Sequence, residues 1–222
     1  MQSLWLSLRL AAFVAAILLA VATPLAYWLA FTRWRAKFLL ESVVAMPLVL
    51  PPTVLGFYLL VAFGSRGAIG RLWLALFGHT LAFTFEGLVL ASCLYSLPFA
   101  VQPLVNSFAG IDRKLLDASS VLGADRWRTF WSVIAPLSLP GFITAVVLSF
   151  AHTLGEFGVV LMVGGDLPGI TQTASIEIYD RVQSLDYAAA NHTATVLLLI
   201  AFAVLSAVYA MNRRAWSPWP AR

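Results

Sequence analysis

Residues 117–136 read DASSVLGADRWRTFWSVIAP, and the reading of this polar stretch decides how the rest of the chain is organised. Just upstream, Asp112 is a good N-cap, because a carboxylate there accepts from the free amides of a first helical turn. Ile111 and Leu116 stand at the positions of a hydrophobic staple around it. Leu115, Ala118, Ser119 and Leu122 then fall at i, i+3, i+4 and i+7, one modestly apolar face of a helix over 112–122. Gly123 ends that helix, as a residue free to take positive φ does. Asp125 caps a second helix, where Trp127, Phe130, Trp131 and Ile134 repeat the spacing with Arg126 and Arg128 off the face. Pro136 closes the unit. The stretch is therefore two short amphipathic helices about a glycine joint. Such a pair either rests on lipid headgroups or docks a soluble partner.

On both sides the surroundings are apolar. Of 222 residues, 61% are hydrophobic and 11% charged, and the mean hydropathy is +0.88. A soluble domain carries about a quarter charged residues, so this chain has too little polar surface to face water all round. The isoelectric point near 9.6 fits basic loops beside anionic lipid better than nucleic acid, because Arg and Lys cluster at the ends of apolar runs. Cys93 is the one cysteine, which excludes an internal disulfide and a Cys-based zinc cluster. We expect no metal ligands and no catalytic residues.

Five apolar runs have the roughly 20 residues a helix needs to cross hydrocarbon: Leu10–Phe31, Phe38–Phe63, Leu81–Val101, Leu139–Val163 and Ala188–Met211. The sequence predicts an all-α polytopic membrane protein, a single domain over 1–222 with five spans, or six if an outer segment re-enters. Ala20-Val21-Ala22 imitates a signal-peptidase site, but only Arg9 precedes the run while Arg33, Arg35 and Lys37 follow it, the reverse of a signal peptide. With loop 32–37 cytoplasmic, alternation places 106–136 and the C-terminus inside, and the N-terminus, 64–80 and 164–187 outside. Ten Arg and Lys residues then lie inside, including Arg213, Arg214 and Arg222, and four outside, which satisfies the positive-inside rule. In the outer segments, Arg71–Phe77 is expected to lie flat, and Thr173–Gln183 to form a short helix with Ile176, Tyr179 and Val182 or Gln183 on one side.

Two runs are punctuated. Pro47, then Pro51 and Pro52 before Thr53, interrupt the second. Proline removes a backbone donor, and in hydrocarbon the freed carbonyl needs protein or water beside it. The interruption is a packing kink or a bend that shapes a translocation pathway. Gly155 and Gly158, bracketing Glu156, raise the same question in the fourth run. There Ser149, His152 and Glu156 share a helical face. An ionisable residue inside a span is a functional candidate, so a proton-coupled carrier using His152 and Glu156 is the rival from another class. A hydrolase built on Ser149 and His152 is weaker still. Glu156 is expected to be structural or gating near the outer mouth, because a fixed carboxylate repels an anion.

The insert resembles the cytoplasmic EAA loop of importer-type ABC permeases. That loop reads Glu-Ala-Ala, three residues, Gly, nine residues, Ile-x-Leu-Pro. Here Asp117-Ala118-Ser119 is followed by three residues and Gly123, then nine residues, then Val133-Ile134-Ala135-Pro136. Every spacing matches; the departures are Asp for Glu, Ser for Ala, Val for Ile and Ala for Leu. MPLVLPPTVLGFYLL (46–60) and FAHTLGEFGVVLMVGGDLPGITQTASIEIYD (150–180) resemble the permease subunits of molybdate importers. Sulfate and thiosulfate permeases share a related Leu-Gly-Glu-Tyr segment.

The resemblance implies an oxyanion permease of a bacterial inner membrane, with molybdate the expected cargo and tungstate or sulfate the alternatives. It implies a homodimer, two ABC ATPase subunits docked on the cytoplasmic loops, and a periplasmic oxyanion-binding protein. Asp117, Ala118, Ser119, Gly123, Ala124, Arg126 and Pro136 would carry the coupling to the ATPase. Pro51, Pro52, Thr53, Gly155, Glu156 and Gly158 are the pathway or gate candidates. The chain holds no Gly-x4-Gly-Lys-Ser/Thr loop, since GSRGAIG (64–70) lacks the lysine. ATP and Mg are therefore expected on the partner, with no cofactor and no enzymatic activity in this chain.

Overall fold

The computed structural model describes residues 2–211, all helices and connections with no strand among them. In chain order the helices are α1 (Gln2–Phe31), α2 (Lys37–Val49), α3 (Pro52–Phe63), α4 (Ala68–Phe77), α5 (Phe85–Ala109), α6 (Arg113–Val121), α7 (Arg126–Leu137), α8 (Leu139–Leu154), α9 (Gly158–Gly164), α10 (Ala174–Gln183) and α11 (Tyr187–Met211). Three of them, α1, α5 and α11, are long and apolar enough to cross a bilayer unbroken. Two bent pairs reach span length only when joined: α2 with α3 at 111°, and α7 with α8 at 72°. The total is five at most. The helices α4 and α10 are ten residues each, about half the length a span needs.

At the centre stands α5. Thr84 caps it, accepting from the Gly87 amide at 3.1 Å. On one side its buried Leu88, Val101, Leu104 and Phe108 meet Leu10, Val14, Leu18 and Leu29 of α1 and Ala145 of α8. The fourfold spacing of the α1 residues makes the stripe that faces the core. Close approach is set by small residues: a Cβ on Gly141 of α8 would collide with the Ser107 side chain of α5. On its other side, Ala91 packs in a second cluster with Leu59 and Phe63 of α3 and Val159 and Val163 of α9.

The two ends of α1 mark the two faces of the bundle. Near its start, the Ser7 hydroxyl accepts from the Ala174 amide at 2.8 Å, and Ser3 donates to Glu177. These bonds tie α1 to α10. Near its end, the Tyr27 ring lies 5.8 Å from Phe130 of α7, and Phe31 lines a cavity with Leu116 of α6. The N-terminal end and the 164–187 segment thus share one face, and the insert lies on the other, beside residues 32–36. This is the alternation expected from the charges. Arg213, Arg214 and Arg222 of that count lie outside the described residues.

Two expected runs are corrected. The run Leu139–Val163 is not one helix: α8 stops at Leu154, and residues 155–157 separate it from α9. The run Phe38–Phe63 folds back at Leu50-Pro51, because Pro51 and Pro52 cannot continue the hydrogen-bond ladder of α2. In segments 64–80 and 164–187, α4 and α10 form where short helices were expected. Ile176 of α10 is buried, whereas Tyr179 and Val182 are exposed.

Candidate functional site

The insert forms from its own sequence. Asp112 accepts from the Lys114 amide at 2.9 Å, which starts α6. Gly123 takes φ +75°, and the chain closes in a Schellman turn: the Ala124 amide donates to Ser119 carbonyl at 3.1 Å, and the Gly123 amide to Ser120 carbonyl at 3.0 Å. Asp125 accepts from the Arg128 amide at 2.7 Å and starts α7. A hydrogen bond of 2.9 Å between the Ser119 and Thr129 hydroxyls then joins the two helices. Beyond it, residues Phe130–Ile134 form a π-type turn in which the Ala135 amide reaches back to Phe130 carbonyl. This wide turn accommodates Pro136, and the break comes at Ser138, two residues later than the proline signal.

The site residues of the insert divide by orientation. Ser119 is buried and Ala124 half-buried, while Asp117, Ala118, Gly123, Arg126 and Pro136 are exposed. Leu116 points to the core. Val121 and Leu122 are 87% and 84% exposed, and Leu115 shares the outward surface. A helix resting against its own bundle would bury these side chains. Here they project as an exposed apolar surface. Spacing put Leu115 and Leu122 on one face; Val121, at no position of that stripe, was missed.

The second group of candidates is brought together by α9. A Cβ on Gly158 would lie 2.7 Å from Cβ of Pro52, and one on Gly56 would lie 2.8 Å from Cβ of Met162. The break at Pro51-Pro52-Thr53 therefore abuts the break at Gly155-Glu156-Phe157. Glu156 is 5% exposed, and neither of its carboxylate oxygens has a hydrogen-bond partner among the described residues. A buried, unpartnered carboxylate costs folding free energy. An ionisable group so placed inside a span is a functional candidate.

Among the described residues, Ser149, His152 and Glu156 make no hydrogen bond to one another. The Ser149 hydroxyl donates back to Ala145 carbonyl at 2.7 Å, which leaves no Ser–His pair. His152 instead meets the Ser96 hydroxyl at 2.9 Å and stacks on Phe99 at 4.0 Å. Thr153 joins the same Ser96 hydroxyl at 3.0 Å. Sequence reasoning missed Ser96 and Phe99, which lie more than fifty positions away on α5 and carry no local signal.

Comparison with known proteins decides the family. The family described as "Binding-protein-dependent transport system inner membrane component" matches residues 22–218. The chain belongs to this family. Within it, the chain is 53% identical over 208 residues to the molybdenum transport system permease protein ModB of Azotobacter vinelandii, covering 94% of this chain and 92% of that one. It is 40% identical over 183 residues to ModB of Escherichia coli K12, with 82% and 80% covered. The sulfate transport system permease protein CysT of the same strain is 33% identical, over 92% of this chain and 74% of its own length.

Solved permeases share the fold. A bacterial ABC transporter involved in the import of the acidic polysaccharide alginate superposes with a TM-score of 0.77, at 14% identity, over 97% of this chain and 79% of that one. The inward-facing MetNI methionine ABC transporter gives 0.73, at 15% identity, over 96% and 94%. The chain is thus a multi-pass inner-membrane permease subunit of the ABC importer type.

Proposed function

We propose that this chain is the permease subunit of an ATP-driven importer that moves molybdate across the inner membrane, working as a homodimer over its whole length as a single domain. The observation that carries the cargo is the 53% identity to a molybdenum permease over nearly the full length of both chains, against 33% to the sulfate permease. The insert faces the cytoplasm, with the N-terminus outside and the C-terminus inside. Two ABC ATPase subunits, which bind ATP and Mg, dock on the two inserts of the dimer, and a periplasmic binding protein delivers the oxyanion. The projecting Leu115, Val121 and Leu122 supply the apolar contact, and the Schellman turn at Gly123 fixes its shape. Closing of the ATPase pair moves the inserts, and the abutting breaks at Pro51 and Gly155 give the membrane helices two packed arrangements to switch between.

The test is uptake by proteoliposomes holding the permease, the ATPase and the binding protein. Labelled molybdate accumulates only with ATP, and excess sulfate competes poorly. Equal uptake of sulfate overturns the cargo. Uptake driven by a pH gradient without ATP overturns the importer reading in favour of a proton-coupled carrier.

A further inference from the structure

Two cavities meet at Arg126. One is a mixed pocket of about 170 Å³ between α6, α7 and the end of α1, where Tyr27, Ser120, Arg126 and Thr129 stand among Phe31, Leu116 and Ile134. The other is a groove of about 930 Å³ between α1 and α7–α8, apolar along Ala16, Ala20, Pro24, Phe130, Trp131 and Phe142. Tyr27 and Arg126 line both. No ion pair among the described residues involves Arg126.

We infer that this composite site binds an anionic phospholipid from the leaflet on the insert side, with its phosphate at Arg126 and one acyl chain in the groove. The dimensions select the occupant. From Tyr27 to Ala16 is eleven residues of α1, about 16 Å at 1.5 Å per residue. That is close to half the roughly 30 Å hydrocarbon core, the depth of one acyl chain. Polarity follows the same axis. Arg126, Ser120 and Thr129 stand at the insert end, Trp127 and Trp131 at the level where amphipathic rings settle in a bilayer, and only apolar or small side chains lie deeper. A free cation above an apolar slot is complementary to a phosphate joined to an acyl tail, and basic pockets between spans take such headgroups. A second protein helix would fill the groove but leave Arg126 and the hydroxyls beside it unmatched. The lipid would wedge the insert against α1 and stiffen the connection between them.

The experiment is native mass spectrometry of the permease complex, purified in mild detergent and exchanged with mixed phosphatidylglycerol and phosphatidylcholine micelles. The wild-type complex is expected to retain phosphatidylglycerol in preference. Arg126→Gln removes a charge-assisted phosphate contact and should lower that preference about tenfold. Ala20→Trp fills the groove and should abolish retention with Arg126 intact; Ala16→Leu is the milder filling if the tryptophan variant does not fold. Equal retention of the two lipids by the wild type, or unchanged retention in both variants, overturns the site. So does a disulfide between two chains through Ala20→Cys in a Cys93→Ala background, which would place a second copy in the groove. Lipid retention is read without transport, so it stands or falls separately from the cargo.

Discussion

Ser119 and Thr129 meet through their hydroxyls at 2.9 Å across the Gly123 turn. Among the described residues this is the one side-chain hydrogen bond between α6 and α7. Ser119 is buried at the joint, so the bond sets the angle at which the exposed part of α6 is carried. Ser119→Ala should cost about 1 kcal/mol of local stability. It should lower transported molybdate per ATP hydrolysed more than it lowers ATPase binding. A double-mutant cycle with Thr129→Val should show coupling, because the second change removes nothing further. Additive losses would mean that the bond does not set the angle.

Gly123 has open space around its α-carbon, yet its φ of +75° disfavours any residue with a Cβ. Gly123→Ala should therefore weaken ATPase co-purification and uptake, and Gly123→Asn should retain more of both, since Asn tolerates the left-handed region. Gly123→Glu should abolish ATP-driven uptake while the melting of the membrane helices is unchanged. Equal effects of Ala and Asn would show that conformation is not the cause.

Val121 and Leu122 make little contact with the rest of the chain. Changing both to Ser should leave the melting temperature within the scatter expected of surface substitutions, about 0.5 kcal/mol. Capture of the ATPase in pull-downs should fall by about tenfold or more, as for loss of apolar contact at an interface centre. A fall in stability without loss of capture would place these residues in the fold instead.

Gly158 touches Pro52 with no room for a methyl group. Gly158→Ala should destabilise by about 1–3 kcal/mol through overpacking, read as a lower melting temperature. Uptake should fall further than stability accounts for, because both breaks share the contact. Unchanged uptake would remove the contact from the switching elements.

Glu156→Gln replaces a buried, unpartnered carboxylate with a neutral side chain of the same shape. The melting temperature should rise, since a group that must give up its charge to be buried is replaced by one that never carries it. Uptake should drop if the carboxylate gates passage, a stability gain offset by lost function. Full uptake in the variant would leave Glu156 a structural residue only.

Much of this was legible from the chain. Asp112, Gly123 and Asp125 are local signals, and each acts within its own turn, so the insert could be read residue by residue. The five apolar runs were visible because hydrocarbon imposes a length. What escaped were contacts across helices. That His152 pairs with Ser96, or that Gly158 faces Pro52, depends on how α5, α3 and α9 lie together, and no spacing in one segment encodes it. Gly155 and Gly158 marked the place of the break between α8 and α9, but not that the helix ends there, because the run is apolar on both sides.

The fold-back at Leu50 has a consequence for its cost inside lipid. A severed helix ordinarily strands several amide donors where no water can reach them. Here Leu50 still donates to Met46 carbonyl, Pro51 and Pro52 have no N–H to strand, and the Val54 and Leu55 amides both turn to Pro51 carbonyl, at 2.9 and 3.3 Å. Thr53 alone among these residues has an amide without an acceptor. The double proline that breaks the helix also silences the donors the break would have exposed, so the chain can reverse with a single amide left without an acceptor, and only the last carbonyls of α2 need a partner.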